Sequence, residues 1–260
     1  MSADEAGPRP QRYDRALLLG EPRRNEVLSL DEIRRYGADS FGDPDYLCLY
    51  GLSPTDWYSR GVRVLGRTAV ECTRDALADR IGRDTAAVVS GASPGPVVID
   101  PFAGSCNTLF WIARYVRAGR AVGFELDVGV YRSTRRNLSI LGLDLELVNA
   151  DYEASFLVEA GPADSLVVVF VAPPWGSALD EGSGLDLRRT VPPLAEVVRA
   201  VGDRLREHRL LFVLQLYEKV VSESLGPLIE LFSWWDRRTY DLNTPGQNHG
   251  IGLGTMRWRP

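Results

Sequence analysis

The sequence predicts an α/β fold: a mainly parallel sheet with helices on both faces, preceded by a helical extension. Three observations carry this. The β-branched apolar runs Val97–Asp100 and Leu166–Val171 end abruptly in turn residues, as buried parallel strands do. Such runs alternate with amphipathic helical stretches, the succession that builds parallel sheets with crossover helices. A Pro/Gly/Ser-rich stretch over residues 90–96 separates a helical head from the alternating region.

In chain order, residues 1–25 read as a disordered tail and 26–90 as a helical lid. Ser29-Leu-Asp-Glu32 is a capping-box pattern that starts a short helix through Arg35. Residues 37–51 read as loop. Ser53-Pro54 fits an N-cap followed by proline in the first turn. Ala69, Cys72, Ala76 and Leu77 recur at helical spacing, giving a helix over 68–82.

From Pro96 to residue 260 the chain reads as one sheet domain of seven strands. Val97–Asp100 is the first. A helix follows with Leu109, Ile112, Ala113 and Val116 on one face and Gly119 as its stop. Residues 121–125 form the second strand, 128–141 a helix, and Leu143, Leu145 and Leu147 alternate in a third strand. Residues 166–171 form the fourth. Leu194, Val197, Val198, Val201 and Leu205 mark another helix, residues 210–216 the fifth strand, and 224–232 a last helix. Residues 234–241 and 251–258, around Asn-Thr-Pro-Gly-Gln-Asn-His-Gly, form a terminal hairpin.

Composition sets bounds. The chain has 260 residues and a net charge of −5. That acid balance disfavours a nucleic-acid partner, which normally requires a basic stripe, without excluding a local basic patch. It favours a small-molecule substrate. No apolar run reaches the length of a membrane span, so no membrane partner is expected. The N-terminus lacks the apolar core of a secretory signal, and Cys48, Cys72 and Cys106 show no paired pattern, so a reducing cytoplasm is expected. Two histidines and no Cys-x-x-Cys leave little material for a metal site, and none is expected.

Two loops carry the chemistry. Asp100-Pro101-Phe102-Ala103-Gly104-Ser-Cys-Asn107-Thr108 turns from strand to helix, and Gly104 lets backbone approach a ligand closely. Glu125 ends the second strand, where an acid can accept hydrogen bonds from ribose hydroxyls. Asp151 follows the third strand, where an adenine amino group would lie. Acids at three successive strand ends suit a cofactor with cationic sulfonium and amino groups, S-adenosylmethionine (SAM), and suit a pyrophosphate badly. The dinucleotide and Walker fingerprints are absent.

In the second loop, Ala172-Pro173-Pro174-Trp175-Gly176, consecutive prolines fix the backbone and remove two donors. The carbonyls of Ala172 and Pro173 are left as acceptors that can orient an amino group. Trp175 offers a stacking face for a planar substrate.

Asp-Pro-Phe-Ala-Gly-Ser resembles motif I of DNA amino-methyltransferases, and Pro-Pro-Trp-Gly resembles the acceptor motif of trimethylguanosine synthase, both class I SAM-dependent methyltransferases. The segment from Tyr50 to Ser59 is also similar to the latter family's N-terminal region. The resemblance covers roughly residues 46–180. It implies a Rossmann-like seven-stranded sheet whose terminal strand is antiparallel, SAM as cofactor, and EC 2.1.1-type methyl transfer. It implies that Asp100, Gly104, Glu125 and Asp151 bind SAM, with Pro101, Phe102, Ala103, Asn107, Thr108, Leu126 and Tyr152 completing the contacts. The chain departs from the pattern at Cys106, where the family continues its glycine run, and at Ala172, where the family carries Ser, Asp or Asn.

Other residues enter by position. With the last strand antiparallel, His249 rises on the cofactor side, where it is a candidate general base beside Ala172, Pro173 and Trp175. Trp57 and Tyr58 are expected to bind substrate as part of the lid, and Arg188 to hold an anion. The expected function is methylation of a small planar, heteroaromatic or nucleobase-like acceptor in bacterial secondary metabolism. The alternatives are a guanine-amine methyltransferase acting on RNA and a SAM-binding protein without turnover.

Overall fold

The computed structural model describes residues 12–91, 95–180, 182–242 and 249–260. The far end of the expected tail (1–11), the middle of the expected linker (92–94) and most of the expected hairpin loop (243–248) lie outside these residues.

The head contains α1 (Arg15–Leu19), α2 (Leu30–Phe41), α3 (Pro54–Ser59), α4 (Gly66–Glu71) and α5 (Asp75–Val89). The expected capping box is present at α2: the Ser29 side chain accepts from the Glu32 amide, and Glu32 accepts from the Ser29 amide. The helix outruns the expected stop at Arg35 and ends at Gly42, whose φ of 72° is a left-handed cap. Residues 12–25, expected to be disordered, instead hold α1, and Leu18 is fully buried. The single helix expected over 68–82 is two helices, broken across residues 72–74.

The sheet contains β1 (Val97–Asp100), β2 (Arg120–Phe124), β3 (Glu146–Val148), β4 (Leu166–Val171), β7 (Arg209–Tyr217), β8 (Trp234–Tyr240) and β9 (His249–Met256). A small hairpin of β5 (Leu179–Asp180) and β6 (Gly184–Leu185) interrupts the succession. The helices are α6 (Asn107–Val116), α7 (Val128–Leu141), α8 (Leu194–Arg204) and α9 (Ser222–Ile229). The strand order is β3-β2-β1-β4-β7-β9-β8. The first five are parallel, and β9 inserts antiparallel between β7 and β8. This is the expected seven-stranded class I methyltransferase fold.

Alternation along the central strands divides the core. Val98, Val168, Phe170, Leu211 and Val213 face one layer with Ile81 of α5, Ile112 of α6 and Leu138 of α7. Ile99, Val167, Val169, Phe212 and Leu214 face the other with Val198 of α8 and Leu228 of α9. The head therefore shares a core with the sheet. Gly82 makes this packing close: a Cβ there would stand 2.8 Å from the Trp111 carbonyl oxygen of α6.

Strand order reverses between β1 and β4, which pair directly through Ile99 and Val169. The two loops singled out in the sequence leave the carboxyl ends of these neighbouring strands. A topological switch point is where open α/β sheets bind ligands.

Candidate functional site

Asp100 ends β1, is 2% exposed, and accepts a 3.0 Å hydrogen bond from the Phe102 amide. Burial pushes its carboxyl up to about 7 against the opposing effect of that amide, and the nearby Glu125 charge adds to the rise. Glu125 lies just past β2. Its Oε2 accepts from the Gly104 amide at 3.1 Å and its Oε1 from the Asp127 amide at 2.7 Å. Burial raises its pKa, while these amide bonds oppose the shift. A buried acid beside a half-buried one is expensive to ionise unless a cation joins them.

The loop between them leaves room for one. Gly104 has φ of 49°, and nothing stands within 4 Å of where a Cβ would project. The Thr134 hydroxyl of α7 donates to the Gly104 carbonyl at 2.8 Å and fixes the turn. Ala103 sits close over β2, where a Cβ on Gly123 would stand 2.7 Å from its own. A buried and a half-buried acid beside an open glycine turn fit the cationic methionine end of SAM and a ribose.

The adenine side differs in detail. Asp151 is exposed and caps a six-residue 3-10 helix (Tyr152–Leu157), its carboxylate accepting from the Glu153 amide at 3.1 Å. Tyr152 stacks on Phe102 with centroids 5.5 Å apart, joining the ends of β1 and β3. Leu126 is 68% exposed, a large apolar side chain offered to solvent at the end of β2. Asn149, which sequence reasoning missed, donates to the carbonyls of Glu125 and Leu126 at 2.8 and 3.1 Å and holds that turn against β3.

Asn107 is not available to a cofactor, contrary to expectation. It is 1% exposed. Its Oδ1 accepts from the Tyr50 amide at 2.8 Å, and its Nδ2 donates to the Thr73 carbonyl at 2.8 Å and to Asp75 Oδ1 at 3.0 Å. Thr108 is also buried, at 5% exposure. Asp75, likewise missed, accepts in addition from the Trp111 indole at 2.6 Å and the Gly51 amide at 2.8 Å. These bonds fasten the head to the cofactor loop. No local motif marks Asp75, because its partners are distant in sequence.

The acceptor loop follows β4. Pro173 is buried and Pro174 exposed, and Trp175, partly buried, opens a 3-10 turn over Gly176–Ala178. The Trp175 ring stacks on His249 with centroids 5.6 Å apart and planes inclined by 28°. Tyr217 presents its ring edge-on to both, at 6.2 Å from each. Tyr217 ends β7, and His249 begins β9 as its register partner. The antiparallel strand thus carries His249 to the carboxyl edge. Burial lowers the His249 pKa to about 4, with Arg74 adding to the fall and Glu218 opposing it. The imidazole is neutral at pH 7, and it is a weaker base than a general base near neutral pH requires.

Three expected substrate contacts have partners of their own. Trp57 is fully buried and its indole donates to the Leu47 carbonyl at 3.0 Å, so it docks the head and offers no stacking face. Tyr58 is covered by the Arg63 guanidinium at 3.7 Å. Arg188 is clamped on Asp186 by two 2.8 Å hydrogen bonds.

No protein-family model matches the chain. A 4-amino-L-phenylalanine/4-methylamino-L-phenylalanine methyltransferase of Streptomyces pristinaespiralis is 31% identical over 135 residues, which are 52% of this chain. The match spans 43% of that relative. Among solved structures, the human methyltransferase 10 domain containing protein superposes with a TM-score of 0.51 at 16% identity, over 72% of this chain and 84% of that one. A tRNA (M1A22) methyltransferase of B. subtilis gives a TM-score of 0.46 at 14% identity, over 69% of this chain and 66% of that one.

The expectation that the acid balance disfavours a nucleic-acid partner is corrected by the distribution of charge over the surface. The physical reason is that net charge averages over faces. On α7, Arg132, Arg135 and Arg136 recur at helical spacing and are exposed. Arg136 donates to the Gly61 carbonyl, which brings exposed Arg60 to the same face.

Proposed function

We propose that this protein is a SAM-dependent methyltransferase whose acceptor is an amino group on a planar aromatic ring. The observation that carries the proposal is the pairing of β1 with β4. It sets the buried Asp100, with the half-buried Glu125 on its other side, next to the rigid loop from Ala172 to Trp175. When bound, SAM supplies an electrophilic methyl group on a sulfonium. Asp100 and the open turn at Gly104 would hold its methionine end, and Glu125 its ribose hydroxyls, through lone pairs that the backbone amides leave unused. Leu126 and the Phe102–Tyr152 stack would flank the adenine. The chain contributes alignment: Trp175 fixes the plane of the acceptor ring, and a carbonyl of Ala172 or Pro173 turns an amine hydrogen away from the methyl donor, so that the lone pair faces it.

The ring amine has two carriers, each supported by its own observation. The arginine face formed by Arg60, Arg132, Arg135 and Arg136 supports a guanine amine in RNA. The relative that acts on 4-amino-L-phenylalanine supports a free aromatic amine. Incubation with radiolabelled SAM tests the reading, with 4-amino-L-phenylalanine, a structured RNA transcript and phenolic controls offered in parallel. Label on either amine substrate supports it, and label on phenols alone overturns it. If RNA is the carrier, binding weakens steeply with salt and the triple variant Arg132→Ala, Arg135→Ala, Arg136→Ala flattens that dependence.

A further inference from the structure

We propose that Nδ1 of His249 accepts a hydrogen bond from the amino group of the acceptor. The proposal rests on the ring-amine reading above.

The loop after β4 is poor in acceptors. Ala172 has no polar side chain, Pro173 and Pro174 bring none, and the Trp175 indole only donates. An amine whose lone pair must face a methyl donor has two N–H groups to place. A backbone carbonyl of the loop can take one. A side-chain acceptor beside the stacking face takes the other and fixes the amine's rotation.

His249 stands in that place. Its ring lies against Trp175 at 5.6 Å and inclined by 28°, so it borders the indole on which an acceptor would stack. Its Nδ1 is buried and, among the described residues, has no hydrogen-bond partner. Such an atom is costly to leave unmatched, and a ligand N–H satisfies it. Three elements hold the ring. Tyr217 of β7 packs edge-on, Trp175 face-on, and the turn before α5 brings Arg74 near, with Glu218 past the end of β7 as the opposing charge. Burial and Arg74 keep the imidazole neutral at pH 7, the form in which one ring nitrogen accepts. In this role His249 positions the amine; it need not take a proton to do so.

Two substitutions separate hydrogen bonding from stacking. His249→Phe keeps a flat ring and loses the acceptor. His249→Asn loses the ring and keeps an oxygen at the distance of Nδ1 from the backbone. The full-length protein and both variants are assayed with labelled SAM and the same amine panel, 4-amino-L-phenylalanine and the RNA transcript. Expected is a fall of roughly tenfold or more in kcat/KM for Phe, the scale of one lost hydrogen bond with its partner left unmatched. Asn is expected to retain more transfer than Phe, with SAM binding by calorimetry unchanged in both.

As an independent readout, the His249 ring resonance is followed by NMR, assigned against His208→Gln since the chain has two histidines. It should shift when the methylated amine of the panel is added to wild type, and should show a neutral ring down to about pH 5. Wild-type transfer to an amine that Phe matches or exceeds relative to Asn overturns this inference and leaves the ring-amine reading standing. Wild-type transfer to no amine overturns both.

Discussion

The amide of Tyr50 donates to Asn107 Oδ1 at 2.8 Å, and so a turn of the head is bonded to the first residue of the helix that opens from the cofactor loop. The same Asn107 amide group donates to Thr73 and Asp75. One side chain of the loop therefore holds two segments of the head.

Replacing Asn107 with Ala should destabilise the protein by about 2–4 kcal/mol, because it removes three hydrogen bonds and leaves a buried amide and carbonyl unmatched. Urea denaturation measures this. A loss under about 0.5 kcal/mol, the size of an ordinary surface substitution, would contradict the role given to Asn107.

Glu125→Ala should weaken SAM binding by about 1.5–3 kcal/mol for each charge-assisted hydrogen bond lost to the ribose. Calorimetry on folded protein gives the answer. Glu125→Gln should fall between wild type and Ala, since one oxygen still accepts. Equal affinity in all three would remove Glu125 from the site.

Asp100 makes the unliganded protein sensitive to pH. Its carboxyl titrates at about 7 in the folded chain because of burial, well above an unfolded aspartate near 3.9. Between these values the folded state binds more protons than the unfolded state. Stability from this group is therefore present below about pH 4 and is lost as pH rises through 7. Chemical denaturation of wild type and Asp100→Asn from pH 5 to 8 should show wild type losing ground to the variant with rising pH. SAM binding should move oppositely and tighten as pH rises through about 7, because the ionised carboxylate attracts the cation. A pH-independent difference between the two proteins would be inconsistent with this account.

Trp175 is only partly buried, and its ring partners are His249 and Tyr217. Trp175→Ala should leave the melting temperature within a few degrees of wild type and SAM binding unchanged. Methyl transfer should fall by the equivalent of about 1–3 kcal/mol of stacking. Phe at this position should recover part of the loss. A large drop in melting temperature with transfer intact at low temperature would mean that Trp175 is a core residue.

The sequence is most legible where local chemistry decides the outcome. The strands β1 and β4 are buried on both faces, so their apolar runs and abrupt turn ends mark them directly. The α2 capping box is legible for the same reason, since donor and acceptor sit three residues apart. Trp57 is not: an exposed aromatic lid and a buried anchor look alike until the Leu47 carbonyl is found to receive its indole. Asn107 fails differently. Its place in the loop is readable, but Thr73 and Asp75, which occupy its side chain, are more than 30 residues away. The short hairpin of β5 and β6 has two-residue strands, too brief for any alternation to register.

The junction at Asn107 makes the loop and the head a single thermodynamic unit. A ligand that gains free energy by fixing the turn at Gly104 strengthens attachment of Tyr50 and Asp75 by the coupling they share, and reciprocity requires the converse. Disturbing the head at a distance from the cleft, at Asp75 or Trp111, is then a means of changing affinity inside it without touching a single residue that meets the ligand.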